Sequence, residues 1–449
     1  MSDKLRVAIV GAGISGISCA YALRKESNLD ITLLEKGSYI GGHSNTIDMT
    51  TFNSKQTFPI DTGFLVFNEW TYPGIIAFFK ELEVPVAKSE MSFSVSIPNK
   101  NGGRLEWAGD NLNTIFAQRK NLFNPRFLSM VKDILRFNRL GKKIAVDQTT
   151  SSPGQALESV AEFLDRLKFS RTFRDWYLLP MIGAIWSCSL TEMLNFPIQT
   201  LMRFCNNHGL LNVLNRPQWL TVKGGSKEYV QRAVNALKDA GVEIRQEKVV
   251  SCVRSPSAKS QQIQLRLING EEVTFDKVVF ACHSDEALEI LSEPSVQEKE
   301  ILSAVAYTKN LAYVHEDRQL LPHLPLVWAA WNYTSENVSP NGLDQSSGVC
   351  VHYLINKLQP IPVRASDTPI VVSLNPQILP APEKTHSVIE YSHPVFNQAA
   401  IIAQQKLPSI QGLNHTYFCG AWTKYGFHED GFQSGQLVAK ELIKSLLTI

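Results

Sequence analysis

Leu5-Arg6-Val7-Ala8-Ile9-Val10 runs directly into Gly11-Ala12-Gly13-Ile14-Ser15-Gly16. The first six residues form a short apolar run rich in β-branched side chains, which predicts a buried parallel strand. Ile17 to Lys25 carries Ile17, Ala20, Tyr21 and Leu23 at helical spacing, and Asp30-Ile31-Thr32-Leu33-Leu34 predicts a second strand that ends in Glu35. Each glycine has a physical task. Gly11 allows a tight turn, Gly13 lets the backbone approach a pyrophosphate, and Gly16 lets the helix pack closely on the sheet. The free N–H groups and the dipole at the helix start favour phosphate. Glu35, nineteen residues past Gly16, is placed to accept both ribose hydroxyls of an adenosine and disfavours a 2′-phosphate. A lone GxGxxG says little, but strand, glycines, helix, strand and acid in register predict a dinucleotide-binding unit.

The next stretch selects the dinucleotide. Glu35-Lys36-Gly37-Ser38-Tyr39-Ile40-Gly41-Gly42-His43 places a glycine pair just after the acid, which a nicotinamide-dependent dehydrogenase does not need. The run resembles the signature of the FAD-binding flavin amine oxidase and phytoene desaturase superfamily, and Asp61-Thr62-Gly63 is similar to its next element. Arg216 to Ser226, with Gly224-Gly225, resembles the turn that leads back to the FAD domain, and the strand Asp276 to His283 resembles the one ending against the cofactor. Thr416 to Gly420, followed by Gly431-Phe432-Gln433-Ser434-Gly435, resembles the closing motif. The resemblance implies FAD held by Gly11, Gly13, Ser15, Gly16, Glu35, Lys36, Gly41, Gly42, His43, Asp61, Thr62, Gly63, Val249, Gly420, Gly431 and Phe432. It also implies that the closing helix stabilises charge at the flavin N1 edge. More narrowly, His43-Ser44-Asn45-Thr46, Asp61 to Asn68 and Phe427-His428-Glu429-Asp430-Gly431 are similar to a bacterial branch of predicted FAD-binding amine-oxidase-like proteins, often discussed alongside unusual or cyclopropane fatty acid synthesis.

A chain of 449 residues exceeds one simple core and fits two intimately associated domains. A formal charge of +2 with 19% charged residues gives no general nucleic-acid signal. No uninterrupted run of eighteen apolar residues occurs, and the start does not read as a cleavable signal peptide. Seven scattered cysteines without a CxxC predict small core residues in a reducing compartment, with no metal or iron–sulfur site. The expected location is cytoplasmic, with membrane association on that face as an extension.

The expected fold class is α/β, with a Rossmann-type FAD-binding domain interleaved with a mixed-sheet and helical substrate domain. The FAD domain is expected at 1–90, 216–300 and 411–449, the substrate domain with its helical subdomain at 91–215, and the substrate-domain sheet at 301–410. Within this, Met91 to Ile97 and Leu105 to Trp107 predict a hairpin across Asn101-Gly102-Gly103. Leu157, Val160, Phe163, Leu164 and Leu167, then Leu178 to Trp186, then Leu201 to Cys205, predict an apolar helical subdomain, which is either an ordinary core or a greasy tunnel for a long substrate.

Residues 111–145 are unusual. Arg119, Lys120, Arg126, Lys132, Arg136, Arg139, Lys142 and Lys143 are interrupted by one acid, Asp133, and interleave with Leu128, Val131, Ile134 and Leu135. Three readings stay open: a packed helix with a solvated basic face, peripheral contact with an anionic membrane, and an anionic headgroup site.

For chemistry, His428 and Glu429 stand just before the closing helix and are the expected pair for proton transfer or substrate orientation, His428 as a base near neutrality. Tyr425 is a candidate substrate-site residue, with Trp422 as a further aromatic, Lys309 and Lys424 as candidate N5 lysines, and His208 as a candidate facing the substrate. His43 and Cys419 are the nearby groups for covalent flavin attachment. No second GxGxxG unit argues for NAD(P)H. The primary expectation is dehydrogenation of a hydrophobic, lipid-like substrate. The alternatives are isomerisation of such a lipid, an amine oxidase releasing peroxide, and a non-catalytic flavoprotein. Oligomeric state is not legible.

Overall fold

The computed structural model describes residues 4–446, apart from positions 54, 100–101, 147–157, 187–189, 213–214, 255–261, 337, 340–341 and 344–349. Pro153, Gly154, Cys188 and the start of the strand expected from Ser347 therefore lie outside the described residues.

The predicted dinucleotide unit forms a five-stranded sheet. Its order is Glu243–Arg245, Leu29–Leu34, Leu5–Val10, Lys277–Phe280 and Thr416–Phe418, and every pairing is parallel. Val7 to Val10 are buried, as a strand covered on both faces requires. One face packs against Ile14–Leu23, Lys227–Asp239 and His428–Leu446, through Ile17, Ala20, Tyr229, Ala233, Val438 and Leu442. The other packs against the meander Val249–Arg254, Ile263–Leu267 and Glu272–Phe275, and the helices after it.

Beside it stands a seven-stranded sheet ordered Thr385–Val395, Ala306–His315, Val371–Leu374, Cys350–Leu354, Trp331–Thr334, Phe93–Pro98 and Arg104–Ala108. Its neighbours are antiparallel except Trp331–Thr334 against Phe93–Pro98. The expected hairpin forms, with Val95 opposite Trp107. This sheet and the helices between residues 125 and 207 share the largest apolar core, which holds Trp107, Phe127, Phe137, Phe163, Phe173 and Phe204. The architecture is thus α/β, a parallel dinucleotide-type sheet beside a mixed sheet with a helical layer.

Local readings were corrected in several places. The expected helix from 156 to 167 is Val160–Arg166, opened by a Ser159–Glu162 capping box, and a positive φ at Lys168 separates it from the next turn. Val327 to Tyr333 is a strand only over Trp331–Thr334, because Pro325–Val327 is a 3-10 turn. The closing helix begins at His428 rather than at Gly431. Glu429 and Asp430 then stand in its first turn, where the helix dipole favours acids. Asp430 accepts from the backbone N–H of Tyr425 at 3.2 Å and Phe427 at 3.1 Å, which fixes the entering loop.

Candidate active site

Ligands of open parallel sheets bind beyond the carboxyl ends of the strands. Here that edge carries Gly11 to Gly16, Glu35 to His43, Ala281 to His283 and Gly420. A Cβ on Gly16 would overlap the carbonyl oxygen of Gly11, and a Cβ on Gly11 would stand 2.8 Å from the Ala281 oxygen. Gly13 differs, because nothing lies within 4 Å of where its Cβ would be. Gly13 is also the N-cap of Ile14–Leu23, and no side chain caps that helix. The uncapped amides therefore open onto space in front of Gly13.

The glycine pair folds back onto this loop. Gly41 donates its N–H to the Ala12 oxygen at 2.9 Å, and Gly13 and Gly41 bridge in parallel. Gly42 takes φ +59° with its Cβ position 3.2 Å from the Gly13 Cα. A side chain there would be strained and would crowd the phosphate-facing loop. Glu35 accepts from Ala12 N–H at 2.8 Å and Gly37 N–H at 2.7 Å, so its carboxylate is held at the tip of its strand. Lys36 pairs with Glu286 at the surface.

The closing helix His428–Leu446 lies against Ile14–Leu23. Gly431 approaches Ile14 and Ser15, its Cβ position 2.8 Å from the Ile14 Cγ2 and 3.0 Å from the Ser15 Oγ, and a Cβ on Gly435 would overlap Ser18 Oγ and the Ser15 oxygen. Ser18 Oγ donates to the Phe432 carbonyl at 2.9 Å, and the Phe432 ring packs 5.1 Å from Phe78. Gly420 donates to Ser434 Oγ at 3.0 Å. Val249 is buried at the start of the meander's first strand.

Asp61 is a buried clasp. Its Oδ1 accepts from Thr46 Oγ1 at 2.5 Å and from the N–H and hydroxyl of Ser226, both at 2.8 Å, and its Oδ2 accepts from Gln359. Burial pushes it up to about 6 despite those donors. It ties the 46, 226 and 359 segments together. Thr62 bonds Asn45 O at 2.9 Å and Tyr391 Oη at 2.6 Å, and a Cβ on Gly63 would collide with the His43 carbonyl.

His43 sits at the centre of a cluster that sequence reasoning did not find. Its ring stacks on Tyr391 at 4.9 Å and lies 5.2 Å from His393. His393 Nδ1 pairs with Asn310 Nδ2 at 2.8 Å. His283, at the end of its parallel strand, stacks on Tyr307 at 4.4 Å. Burial lowers His43 well below its ordinary value and brings His393 to about 4, so these rings are neutral. Tyr391 and His393 are two apart on one strand face, which is the signal that could have found them. His43 Nε2 is buried without a partner among the described residues. An uncapped helix, open space at Gly13, a glycine pair turned onto it and an orphaned imidazole nitrogen fit a dinucleotide with a flat ring at its far end.

The expected proton-transfer pair is placed otherwise. His428 stacks on Phe64 at 3.8 Å and meets Tyr229 Oη with Nε2 at 2.7 Å, with Ser44 Oγ at 3.2 Å. Burial lowers it to about 3, so the base expected near neutrality is instead a neutral ring in the wall of the dinucleotide unit. Glu429 accepts from the N–H of Gly74 and of Ile75, each at 2.8 Å, and from Gln433 Nε2 at 2.8 Å. It caps the helix Pro73–Glu81 from the other end of the chain. Replacing Glu429 by Ala is expected to cost about 2–4 kcal/mol of stability by leaving those amides unpaired. Thermal unfolding checks this; a variant that loses turnover at unchanged stability would return Glu429 to the chemistry.

Tyr425 goes to a different wall. Its carbonyl accepts from Trp186 Nε1 at 3.4 Å. Phe427 stacks on Phe204 at 4.9 Å, and Phe204 lies 4.5 Å from Trp186 and 4.0 Å from His208. His208 Nδ1 faces the Phe204 carbonyl at 3.0 Å. Trp422 is buried in the core under the sheet, bonded to Cys282 O at 3.3 Å, away from that wall. Lys309 is exposed and pairs with Glu390 at 3.1 Å, and Lys424 is exposed. Cys419 is buried in the core on one sheet face. The six described cysteines are free thiols. Among the described residues, no group of three His, Cys, Asp or Glu could hold a metal ion.

The profile of flavin-containing amine oxidoreductases matches residues 14–315. The chain belongs to that family. Its members' flavin accounts for the cradle just described: this is a flavin oxidoreductase, with FAD as its cofactor. Solved structures agree on the fold. A putative protoporphyrinogen oxidase from Exiguobacterium sp. 255-15 superposes with a TM-score of 0.66 at 16% identity, over 99% of this chain and 100% of that one. A CLA-producing fatty acid isomerase from P. acnes gives 0.65 at 14% identity, over 98% and 99%. Cyclohexylamine oxidase from Brevibacterium oxydans IH-35A gives 0.65 at 15% identity, over 99% of each chain. No curated protein matches the sequence.

Proposed function

We propose that this flavin oxidoreductase dehydrogenates a long hydrophobic substrate, an unsaturated acyl or polyene chain. The observation that carries the reading is the wall on which the closing loop stands. Trp186, Phe204, Phe427 and Tyr425 form a continuous aromatic cluster, with Trp186 and Phe204 buried behind the half-buried Phe427 and Tyr425. Asp430, whose carboxylate holds the Tyr425 and Phe427 backbone, is spent on those two N–H groups and pushed up to about 6 by burial. An apolar surface of this kind suits a chain of CH₂ and CH groups better than an ammonium ion, which needs a charged or hydrogen-bonding partner.

When bound, FAD supplies the hydride-accepting ring. The residues of this chain do the rest. The uncapped amides after Gly13 would hold the pyrophosphate, with the Gly41-Gly42 turn packed beside them, and Glu35 would hold the ribose. His43, His393 and Tyr391, neutral and mutually packed, orient the ring and exclude water. The aromatic wall aligns the substrate. With the histidines neutral, the amides at the start of the closing helix would be the groups left to stabilise negative charge on the bound ring.

A redox-neutral isomerisation is the second reading, because the same surface serves it and a fold neighbour is a fatty acid isomerase. Anaerobic absorbance of the yellow protein separates the readings. Linoleic acid or a polyene is expected to bleach the flavin's visible band, while putrescine and cyclohexylamine leave it unchanged. Bleaching by an amine alone overturns the proposal. An unbleached flavin with a moved double bond in the recovered lipid selects isomerisation.

A further inference from the structure

The helix Pro125–Val146 buries Phe127, Met130, Asp133, Phe137, Asn138 and Gly141 against its own domain. Its opposite side is a single straight stripe. Leu128, Lys132, Leu135, Arg139, Lys142 and Val146 are all exposed and follow the i, i+4, i+7 spacing of one helical face. Apolar and basic side chains share it, three of each. Leu135 is 55% exposed and Val146 72%. The short helix Arg119–Phe123 just before it leaves Phe123 88% exposed, and Leu112 is 74% exposed. A face built only for solvent has no reason to carry these groups, and a packed face would cover them.

The charges point to the occupant. Asp133, the only acid from 111 to 146, is turned inward, accepting from Ser170 N–H at 2.9 Å and lying 3.9 Å from Arg136. Among the described residues, Lys132, Arg139 and Lys142 meet no carboxylate. A nucleic acid would use the bases but has no place for the leucines, and an acidic protein surface would leave Phe123 in water. An anionic bilayer satisfies both, with leucines entering the headgroup boundary and the long basic stems reaching phosphates. Among the described residues, no helix is long and apolar enough to cross a membrane, so such contact lies in the interface.

We infer that this stripe, with Phe123, seats the enzyme on an anionic lipid surface. The inference rests on exposure and charge and stands whatever the substrate is. Flotation of the holoenzyme with vesicles tests it. Vesicles containing phosphatidylglycerol are expected to take up at least about tenfold more protein than pure phosphatidylcholine at low salt, with the excess falling at high salt. The double variant Lys132→Gln/Arg139→Gln and, separately, Leu128→Ser/Leu135→Ser are each expected to reduce that uptake by roughly fivefold or more. All four side chains are exposed, and unchanged flavin content verifies folding. Equal uptake by both vesicles, no uptake, insensitivity to both double variants, or preference for an oligonucleotide over anionic vesicles overturns the assignment.

Discussion

A chain carrying Gly16→Ala is expected to purify colourless. The new methyl group would overlap the carbonyl oxygen of Gly11, a backbone atom fixed between two strands by the Gly11 N–H to Leu34 O bond. No side chain can swing aside to relieve it. Overpacking of a core ordinarily costs about 1–3 kcal/mol, and overlap with rigid backbone exceeds that. The helix Ile14–Leu23 must then lift away from the glycine loop, and its amides no longer converge on one point. Flavin content below about a tenth of the parent's, with a lowered melting temperature, is the expected result. Gly13→Ala is the informative partner. Its methyl group meets nothing within 4 Å, so the fold survives, yet it stands where the pyrophosphate must approach. It is expected to weaken FAD binding while leaving the flavin-free melting temperature unchanged. Equal flavin content in both variants and the parent would remove the phosphate from this loop.

Acid is expected to unfold the protein well before it strips charge from ordinary carboxylates. Burial lowers His208 and His315 to about 4 and His352 and His428 to about 3. In the unfolded chain each returns to about 6.5. The folded value is the depressed one, so the stability these rings contribute is fully present above 6.5 and is lost as pH falls toward 3–4. At pH 5 each costs about 2 kcal/mol. Asp61 and Asp430, both raised to about 6, act in the opposite sense. Their protonated folded forms gain stability as pH drops from 7 to 5, and that offsets about 1.4 kcal/mol each. The balance remains several kcal/mol unfavourable, a large part of a typical ~5–15 kcal/mol. Denaturant titrations at pH 7.5, 6 and 5 are expected to show falling stability with uptake of protons on unfolding; a flat profile would refute the buried neutral rings.

His352 explains why the effect is built into the scaffold. Its Nδ1 and His315 Nε2 share Ser373 Oγ at 2.6 Å each, while its Nε2 reaches Thr334 Oγ1 at 2.7 Å. His315 Nδ1 accepts from the Asp317 N–H at 3.0 Å, so protonating that ring sets a donor against a donor inside the mixed sheet.

The glycine loop was legible because its constraints are local. A turn, a close approach and a helix start are all decided within twelve residues. The acid at Glu35 and the glycine pair at Gly41-Gly42 follow at short range for the same reason. His43 was legible as a neighbour of the cofactor, but its partners were not, because Tyr391 and His393 reach it only through the order of strands in a second sheet. Glu429 shows the other limit. Its place beside a cofactor-facing helix was readable, but its direction was not, since the amides it caps lie 355 residues earlier for Gly74 and 354 for Ile75. Lys309 and Lys424 were drawn from residue type alone, and their exposure was invisible to spacing.

The pairing of Ile14–Leu23 with His428–Leu446 has a consequence for how the enzyme is made. Gly431 and Gly435 bring the helix His428–Leu446 onto Ile14–Leu23, and the sheet beside them waits for Thr416–Phe418 to take its edge. During synthesis, more than four hundred residues separate the glycine loop from the helix that backs it. The nascent unit therefore stands with an uncovered apolar face until residues 428–446 have been made. Flavin loading then becomes a late event, and the chain without FAD lacks the stabilisation that the bound cofactor adds to the closed form.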